Sequence, residues 1–144
     1  MHEIFSDPRT HTIGQGPLRD LAQTEAWIAR RLDCHRELGL AWYMLRHRST
    51  RRLVGNCGIF VGRTGQLEPE IGYEIRRDSQ GRGYAGEAAV AVISECGRAG
   101  LARVWATARP ANAASLRVLQ RIGMTLDHIA NDDNGELLYL SRAL

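Results

Sequence analysis

One segment constrains the fold of this chain more than any other, because it leads from a strand through a glycine-rich turn into a helix. Its sequence is Glu70-Ile-Gly-Tyr-Glu-Ile-Arg-Arg-Asp-Ser-Gln-Gly-Arg-Gly-Tyr-Ala-Gly-Glu87. Positions 70–75 alternate between apolar and polar or small residues, the period of two that is typical of a strand. Glycines at 81, 83 and 86 predict the turn. Residues 85–98 then carry small and apolar side chains at steps of three and four, which predicts a helix.

A turn of this kind at the start of a helix is suited to holding a phosphate. Successive backbone N–H groups point into such a turn, and the helix N-terminus carries about half a positive charge. Glycine keeps side chains away and tolerates positive φ, so the backbone can approach a ligand closely. Arg82 adds a mobile cation. We therefore expect residues 80–86, which we call the glycine turn, to bind a pyrophosphate.

The remaining chain predicts helices and strands in an order that defines the fold class. A lead-in of residues 1–16, short-helical or irregular, precedes a helix at about 18–38, whose Leu21, Ile28 and Leu32 share a face beside Trp27. Strands are predicted at 41–46, 53–61, 70–75 and 103–108, a helix at 110–122, and a final hairpin of strands 124–129 and 137–140. A helix separates the third and fourth strands, so these two should be parallel. We expect one mixed α/β domain over residues 1–144, with a mostly antiparallel sheet of about six strands flanked by helices.

Composition excludes several functional classes. All 19 basic residues are arginines, which rules out lysine Schiff-base chemistry and a Walker-type phosphate loop. The arginines are scattered, so nucleic acid is not an expected partner. Cys34, Cys57 and Cys96 are odd in number and lack a CxxC pair, which favours a reducing cytoplasm and argues against a disulfide framework or structural zinc. No apolar run is long enough for a membrane span, and the charged N-terminus is not typical of a signal peptide.

Two ordered motifs resemble the GNAT superfamily of N-acetyltransferases, over about residues 6–140. The superfamily signature Gln/Arg-x-x-Gly-x-Gly/Ala is matched by Gln80-Gly-Arg-Gly83-Tyr-Ala85. A branch that acetylates ribosomal-protein N-termini and polyamines continues in a pattern matched up to Glu87-Ala88, apart from Gly86. A second block of this branch is similar to Asn112-Ala-Ala-Ser115 with Gly123-Met124. The resemblance implies the fold given above, with the parallel pair splayed apart.

The chain departs from the family pattern at three places. The family begins with one more strand before its first helix, whereas this sequence starts after it, so that either the first strand is absent or the start has been truncated. Leu119 stands where many relatives have a tyrosine that reprotonates the thiolate, and we expect Leu119 to be core. Thr107 stands where some relatives have a glutamate base.

The resemblance implies acetyl-coenzyme A as the donor, without a metal. The pyrophosphate would bind the amides of Gly81 to Gly86, and the pantetheine arm would pair like an extra strand with the backbone of Tyr73 to Ile75. This requires the third and fourth strands to diverge, so that their backbone groups stay free. The implied cofactor-binding residues are Tyr73, Glu74, Ile75, Gln80, Gly81, Arg82, Gly83, Tyr84, Ala85, Gly86, Asn112 and Ser115.

Catalysis by such a protein would be direct attack of an amine on the thioester in a ternary complex. An amine attacks only when it is neutral, so a carboxylate should remove its proton. Glu70 and Glu74 share the strand face opposite Tyr73, and Glu70 is our candidate base. Ser115 is the candidate that would hydrogen-bond the departing thiolate, by similarity to the branch, and Asn112 completes the candidate site.

Structural interpretations of the same residues stay open. Glu70 and Glu74 would equally suit a solvated strand face, Asn112 a helix N-cap, and Ser115 a solvated first-turn serine. The glycine turn also fits the Gly-x-Gly-x-x-Gly fingerprint of nicotinamide dinucleotide sites, although the next strand ends without the acidic residue such sites need. A coenzyme A-binding module without catalysis and an arginine-rich interaction domain remain further alternatives. The acceptor is undetermined, and an open sheet edge would allow a homodimer.

Overall fold

Six strands form one mixed sheet in the computed structural model, which describes residues 1–10 and 16–144. Their order is β1-β2-β3-β4-β6-β5, and of the five pairings only β3 with β4 is parallel. The strands are β1 (Trp42–Arg46), β2 (Leu53–Gly62), β3 (Gly65–Ile75), β4 (Arg103–Ala108), β5 (Thr125–Asp132) and β6 (Gly135–Ala143). The helices are α1 (His2–Phe5), α2 (Leu21–Leu38), α3 (Tyr84–Arg98) and α4 (Ala113–Arg121).

The predicted fold class is confirmed, and most differences lie at the ends of elements. The β2–β3 and β5–β6 hairpins extend to tight turns, so β3 begins at Gly65 rather than at position 70 and β6 at Gly135 rather than at 137. At its other end β6 runs to Ala143, paired with β4. The helix predicted from 110 begins only at Ala113, after Asn112 caps it. Ahead of α2, residues 1–10 and 16–20 contain one short helix and no strand. The antiparallel pairs exclude the doubly wound parallel sheet of the nicotinamide alternative.

Helices α3 and α4 cover one face of the sheet. The largest core cluster joins them to β2, β3 and β4 through residues such as Cys57, Ile71, Val92, Val104 and Leu119. The prediction that Leu119 is core is confirmed, since it is almost fully buried. This core fixes α3 and α4 over the place where β3 meets β4.

Helices α1 and α2 cover the opposite face through a smaller cluster of Ile4, Phe5 and Trp27. The expected face of α2 is wrong, because Leu21 is 63% and Leu32 55% exposed. The buried stripe consists of Thr24 and Trp27, and the two buried apolar residues of the short lead-in helix pack against it. The lead-in therefore contributes core residues, which its polar composition did not indicate.

Candidate active site

Strands β3 and β4 separate soon after they meet. Their register contains one pair, Glu70 with Trp105, although β3 continues to Ile75 and β4 to Ala108. On their other sides both strands stay paired to these ends, β3 with β2 and β4 with β6. The facing edges of residues 71–75 and 106–108 thus have no strand partner, as the splayed pair predicted, and can accept a ligand.

A cleft of about 2210 Å³ occupies this gap. On the α3/α4 side, its walls are residues 71–75 of β3, the glycine turn with the start of α3, the end of β4, and α4. The cleft continues to the α1/α2 side, where Trp27, Arg30 and Arg31 of α2 line it. Two reactants can therefore approach the splayed strands from opposite faces of the sheet.

The glycine turn is open toward the cleft. Gly81 and Gly83 have φ of 73° and 85°, the left-handed conformation that favours glycine. A Cβ placed on either glycine would meet no heavy atom within 4 Å. The first bond of α3 runs from the Glu87 amide to the Gly83 carbonyl, so the amides of residues 84–86 have no acceptor within the helix. Gly86 lies inside the first turn of α3 rather than in the bend, a correction to the prediction.

One side chain of the glycine turn stabilises its conformation, and others line the cleft. Gln80 donates through Nε2 to the carbonyl of Ile75 at 3.0 Å, which ties the turn to the end of β3. Tyr84 and Ala85 line the cleft beside the turn, whereas Arg82 is exposed. Gln80 thus ties the turn to the end of β3, and Gly81, Gly83 and the first residues of α3 line the cleft.

Tyr73 and Ser115 meet across the cleft. The Tyr73 hydroxyl lies 3.0 Å from Ser115 Oγ and donates to the Ser115 carbonyl at 3.2 Å. Burial raises the pKa of Tyr73 to about 12, partly offset by its hydrogen bond to Ser115. Asn112 Oδ1 accepts from the Ser115 amide at 3.1 Å, so the cap of α4 also fixes Ser115. Sequence reasoning placed the Tyr73 backbone in the site and missed this hydroxyl, because the two residues are 42 positions apart.

Glu70 is 2% exposed, so its interpretation as part of a solvated strand face is wrong. One carboxylate oxygen accepts from the amides of Arg63 and Thr64 in the β2–β3 hairpin, and the other accepts from Thr107 Oγ1 at 2.9 Å. A Cβ on Gly62 would collide with this carboxylate, so a larger residue there would force the Glu70 side chain to move. The hairpin therefore holds a carboxylate at the point where the strands diverge.

Glu74 is also buried, at 3% exposure, on the α1/α2 side of β3. Its carboxylate accepts from Asn56 Nδ2 at 3.1 Å, and Asn56 Oδ1 accepts from Trp42 Nε1 at 3.1 Å. The burial of Glu74 shows that the interpretation of a solvated strand face is wrong here as well. The hydrogen bonds from Glu74 through Asn56 to Trp42 link β3 to the edge strand β1.

No group of three or more histidine, cysteine, aspartate or glutamate side chains within residues 1–10 and 16–144 is arranged to hold a metal ion. None of the helices in that part of the chain is long and apolar enough to span a membrane.

Residues 1–125 match the sequence model of a family described as "Acetyltransferase (GNAT) domain". A protein of Bacillus subtilis (strain 168) called "Uncharacterized protein YkkB" is 32% identical over 123 residues, 84% of this chain and 71% of that protein.

Solved structures show the same likeness. An acetyltransferase from Agrobacterium tumefaciens str. C58 has a TM-score of 0.81 and 30% identity, covering 98% of this chain and 81% of that one. A phosphinothricin acetyltransferase from Sinorhizobium meliloti in complex with acetyl-CoA has a TM-score of 0.75, and covers 92% of this chain and 74% of that one. At 15% identity, the latter shows a shared fold alone.

Proposed function

The chain belongs to the GNAT acetyltransferase family and is an acyltransferase, and from this we propose that it moves an acetyl group from acetyl-CoA to a primary amine by direct attack in a ternary complex. One observation carries the proposal: β3 and β4 diverge beside an open turn of unpaired amides. That arrangement suits a ligand with a diphosphate at one end and an extended amide chain at the other.

The donor would lie along the cleft, with its pyrophosphate on the amides of Gly81 to Gly86. Its pantetheine amides would pair with the edge of β3 at Tyr73 to Ile75 that faces the cleft. Among the other implied cofactor-binding residues, Gln80 braces the turn and Arg82 offers an exposed cation for a phosphate. A backbone N–H of β3 near the thioester carbonyl would stabilise the oxyanion, by about 3 kcal/mol for one well-placed donor.

Glu70 is our proposed general base. Acetyl transfer forms a C–N bond and breaks the C–S bond, and the nitrogen must lose a proton on the way. The second oxygen of Glu70 accepts from Thr107 and keeps a further lone pair for this proton, directly or through one water. The amides that grip the first oxygen hold the carboxylate in position.

Tyr73 and Ser115 would receive the departing thiolate. With a pKa of about 12, the Tyr73 phenol stays protonated at neutral pH and acts as a hydrogen-bond donor. Ser115 lies within hydrogen-bond distance of it, and Asn112 positions Ser115 through the helix cap. This pair supplies the donor that Leu119 cannot, and the proton that completes the thiol comes from the amine by way of Glu70.

The proposed acceptor is a peptide N-terminus or a small amine, in line with the branch whose motifs this chain resembles. We also propose a cytoplasmic location, supported by three free cysteines. A homodimer through β1 is the proposed assembly, because this edge strand exposes 45% of Tyr43 and 55% of Met44.

The test begins with the thermal midpoint of the protein with and without acetyl-CoA. A hundredfold excess over the dissociation constant should add about 2.7 kcal/mol to the free energy of unfolding. Amines are then supplied, and free thiol is measured over time. A shift with thiol release supports the enzyme, a shift without release for any amine supports a catalytically inactive coenzyme A-binding module, and neither response would favour the arginine-rich interaction domain.

A further inference from the structure

Arg31 of α2 lies in a cage of three aromatic rings on the α1/α2 side of the cleft. Its guanidinium carbon is 4.8 Å from the ring centroids of Trp27 and Trp42 and 4.9 Å from that of Phe60. The rings pack edge to face, with Trp27 and Trp42 centroids 5.3 Å apart and Trp42 and Phe60 centroids 5.8 Å apart. The cage fixes the cation by attraction to the ring faces while its side chain lines the cleft.

The charge of Glu74 attracts this guanidinium and partly offsets the effect of burial on the pKa of Arg31. Its Nε is buried and has no hydrogen-bond partner among the described residues. Burial lowers the pKa of Arg31 below its usual value. Three of the other arginines that line the cleft are paired, Arg63 and Arg109 with Asp132 and Arg9 with Asp7. A buried guanidinium N–H without an acceptor is unfavourable unless a ligand completes it, and a carboxylate can bind the planar guanidinium through two parallel hydrogen bonds.

The opposite charge lies across the same part of the cleft. Glu70 and Glu74 are buried on the face of β3 that α2 covers, and both line the cleft. The Trp42 ring of the cage is joined to Glu74 through two hydrogen bonds by way of Asn56. A ligand with an ammonium toward the glutamates and a carboxylate on Arg31 would complement both charges. A doubly charged phosphate would be repelled more strongly by the glutamates, which favours the carboxylate.

We propose that Arg31 binds the carboxylate of the acceptor, so that the acceptor is an amino carboxylate. This inference rests on the proposed function and narrows its acceptor class. The cage would set the specificity of the site because it holds the guanidinium rigidly. The amine of the bound acceptor would then point to the splayed strands, where the thioester would lie.

The experiment compares the amino acids with their carboxamides, pair by pair, on the full chain. Thiol release gives kcat/KM for each, and the tryptophan fluorescence, to which Trp27 and Trp42 of the cage contribute, reports binding to the coenzyme A complex without turnover. We expect the wild type to prefer the carboxylate form of its best acceptor by at least about tenfold, equivalent to about 1.4 kcal/mol. R31Q should lose this preference while the KM for acetyl-CoA stays unchanged. R36Q is the matched control, because Arg36 lies on the same helix, exposed and paired with Asp33.

The outcomes separate the two proposals. Equal kcat/KM and equal affinity of the wild type for acids and amides would overturn the role of Arg31, and this comparison needs no folded variant. A preference that survives in R31Q would do the same. If carboxylates bind by fluorescence in an Arg31-dependent way but no amine releases thiol, the acyl-transfer proposal fails and the binding site stands. If amides or simple amines alone are acetylated, acyl transfer stands and the amino-carboxylate inference fails.

Discussion

Replacing Gly83 by alanine should weaken acetyl-CoA binding by more than its effect on stability would indicate. Gly83 has φ of 85° and open space where the new Cβ would lie, so the substitution introduces backbone strain and no clash. An alanine in the left-handed region costs roughly 1–2 kcal/mol, which corresponds to a thermal midpoint lower by about 2–4 °C for each kcal/mol. The strain is relieved if the turn rotates toward negative φ, which turns amides away from the cleft. Losing one hydrogen bond from an amide to a charged phosphate costs about 1.5–3 kcal/mol, or about 10- to 150-fold in affinity.

The matched control is Gly100→Ala. Gly100 follows the other end of α3 with φ of 84°, and its added Cβ would also meet nothing within 4 Å. Both variants should therefore lose similar stability, measured by thermal unfolding without ligand. Isothermal titration with acetyl-CoA should show the large loss of affinity only for G83A. Equal changes in affinity for the two variants would refute the role of the turn amides in holding the diphosphate.

Three further predictions address the remaining site residues. E70Q should lower kcat/KM by about 10²–10⁴ with unchanged acetyl-CoA affinity in a titration, and wild-type turnover in this variant would exclude Glu70 as the base. Y73F should lose about 10- to 100-fold in kcat. Since the pKa of Tyr73 is raised from 10.0 to about 12, its contribution to stability is complete below pH ~10 and lost as pH rises through about 12. Urea unfolding of wild type should therefore lose up to about 3 kcal/mol relative to Y73F over that range, and parallel curves would contradict the burial argument. N112A should cost about 1 kcal/mol of stability while N112D, which keeps a cap acceptor, does not; a similar loss in both would place the effect elsewhere.

The parts of the fold that the sequence predicted are those with local signals. The alternating residues of β3, the glycines at 81 and 83 and the helical spacing of α3 each depend on neighbours a few positions away. The left-handed φ at Gly81 and Gly83 agrees with this pattern, because glycine is the residue that adopts positive φ most readily in a tight turn. The splayed pair was expected only through the family resemblance.

The features that sequence reasoning missed depend on contacts between distant segments. Glu70 reads as a surface residue of an alternating strand, and it is buried because hairpin amides and Thr107, 37 positions away, reach its carboxylate. The Tyr73–Ser115 contact and the Arg31 cage are also formed by tertiary packing. On α2 the polar residue Thr24 is buried and Leu21 is exposed, because α1 packs against the Trp27 stripe. Helical periodicity alone does not reveal which face of a helix the neighbouring segment will pack against.

The single Glu70–Trp105 pair divides the sheet into two leaves of three strands, β1-β2-β3 and β4-β6-β5, that join at one vertex. Side-chain hydrogen bonds stabilise this vertex, from Trp105 Nε1 to Glu68 at 2.7 Å and from Thr107 to Glu70. The angle between the leaves sets the width of the cleft between β3 and β4. The residues of the vertex therefore act as a hinge between the leaves. A substitution there would change the width of the whole cleft although it alters no residue at either end of it.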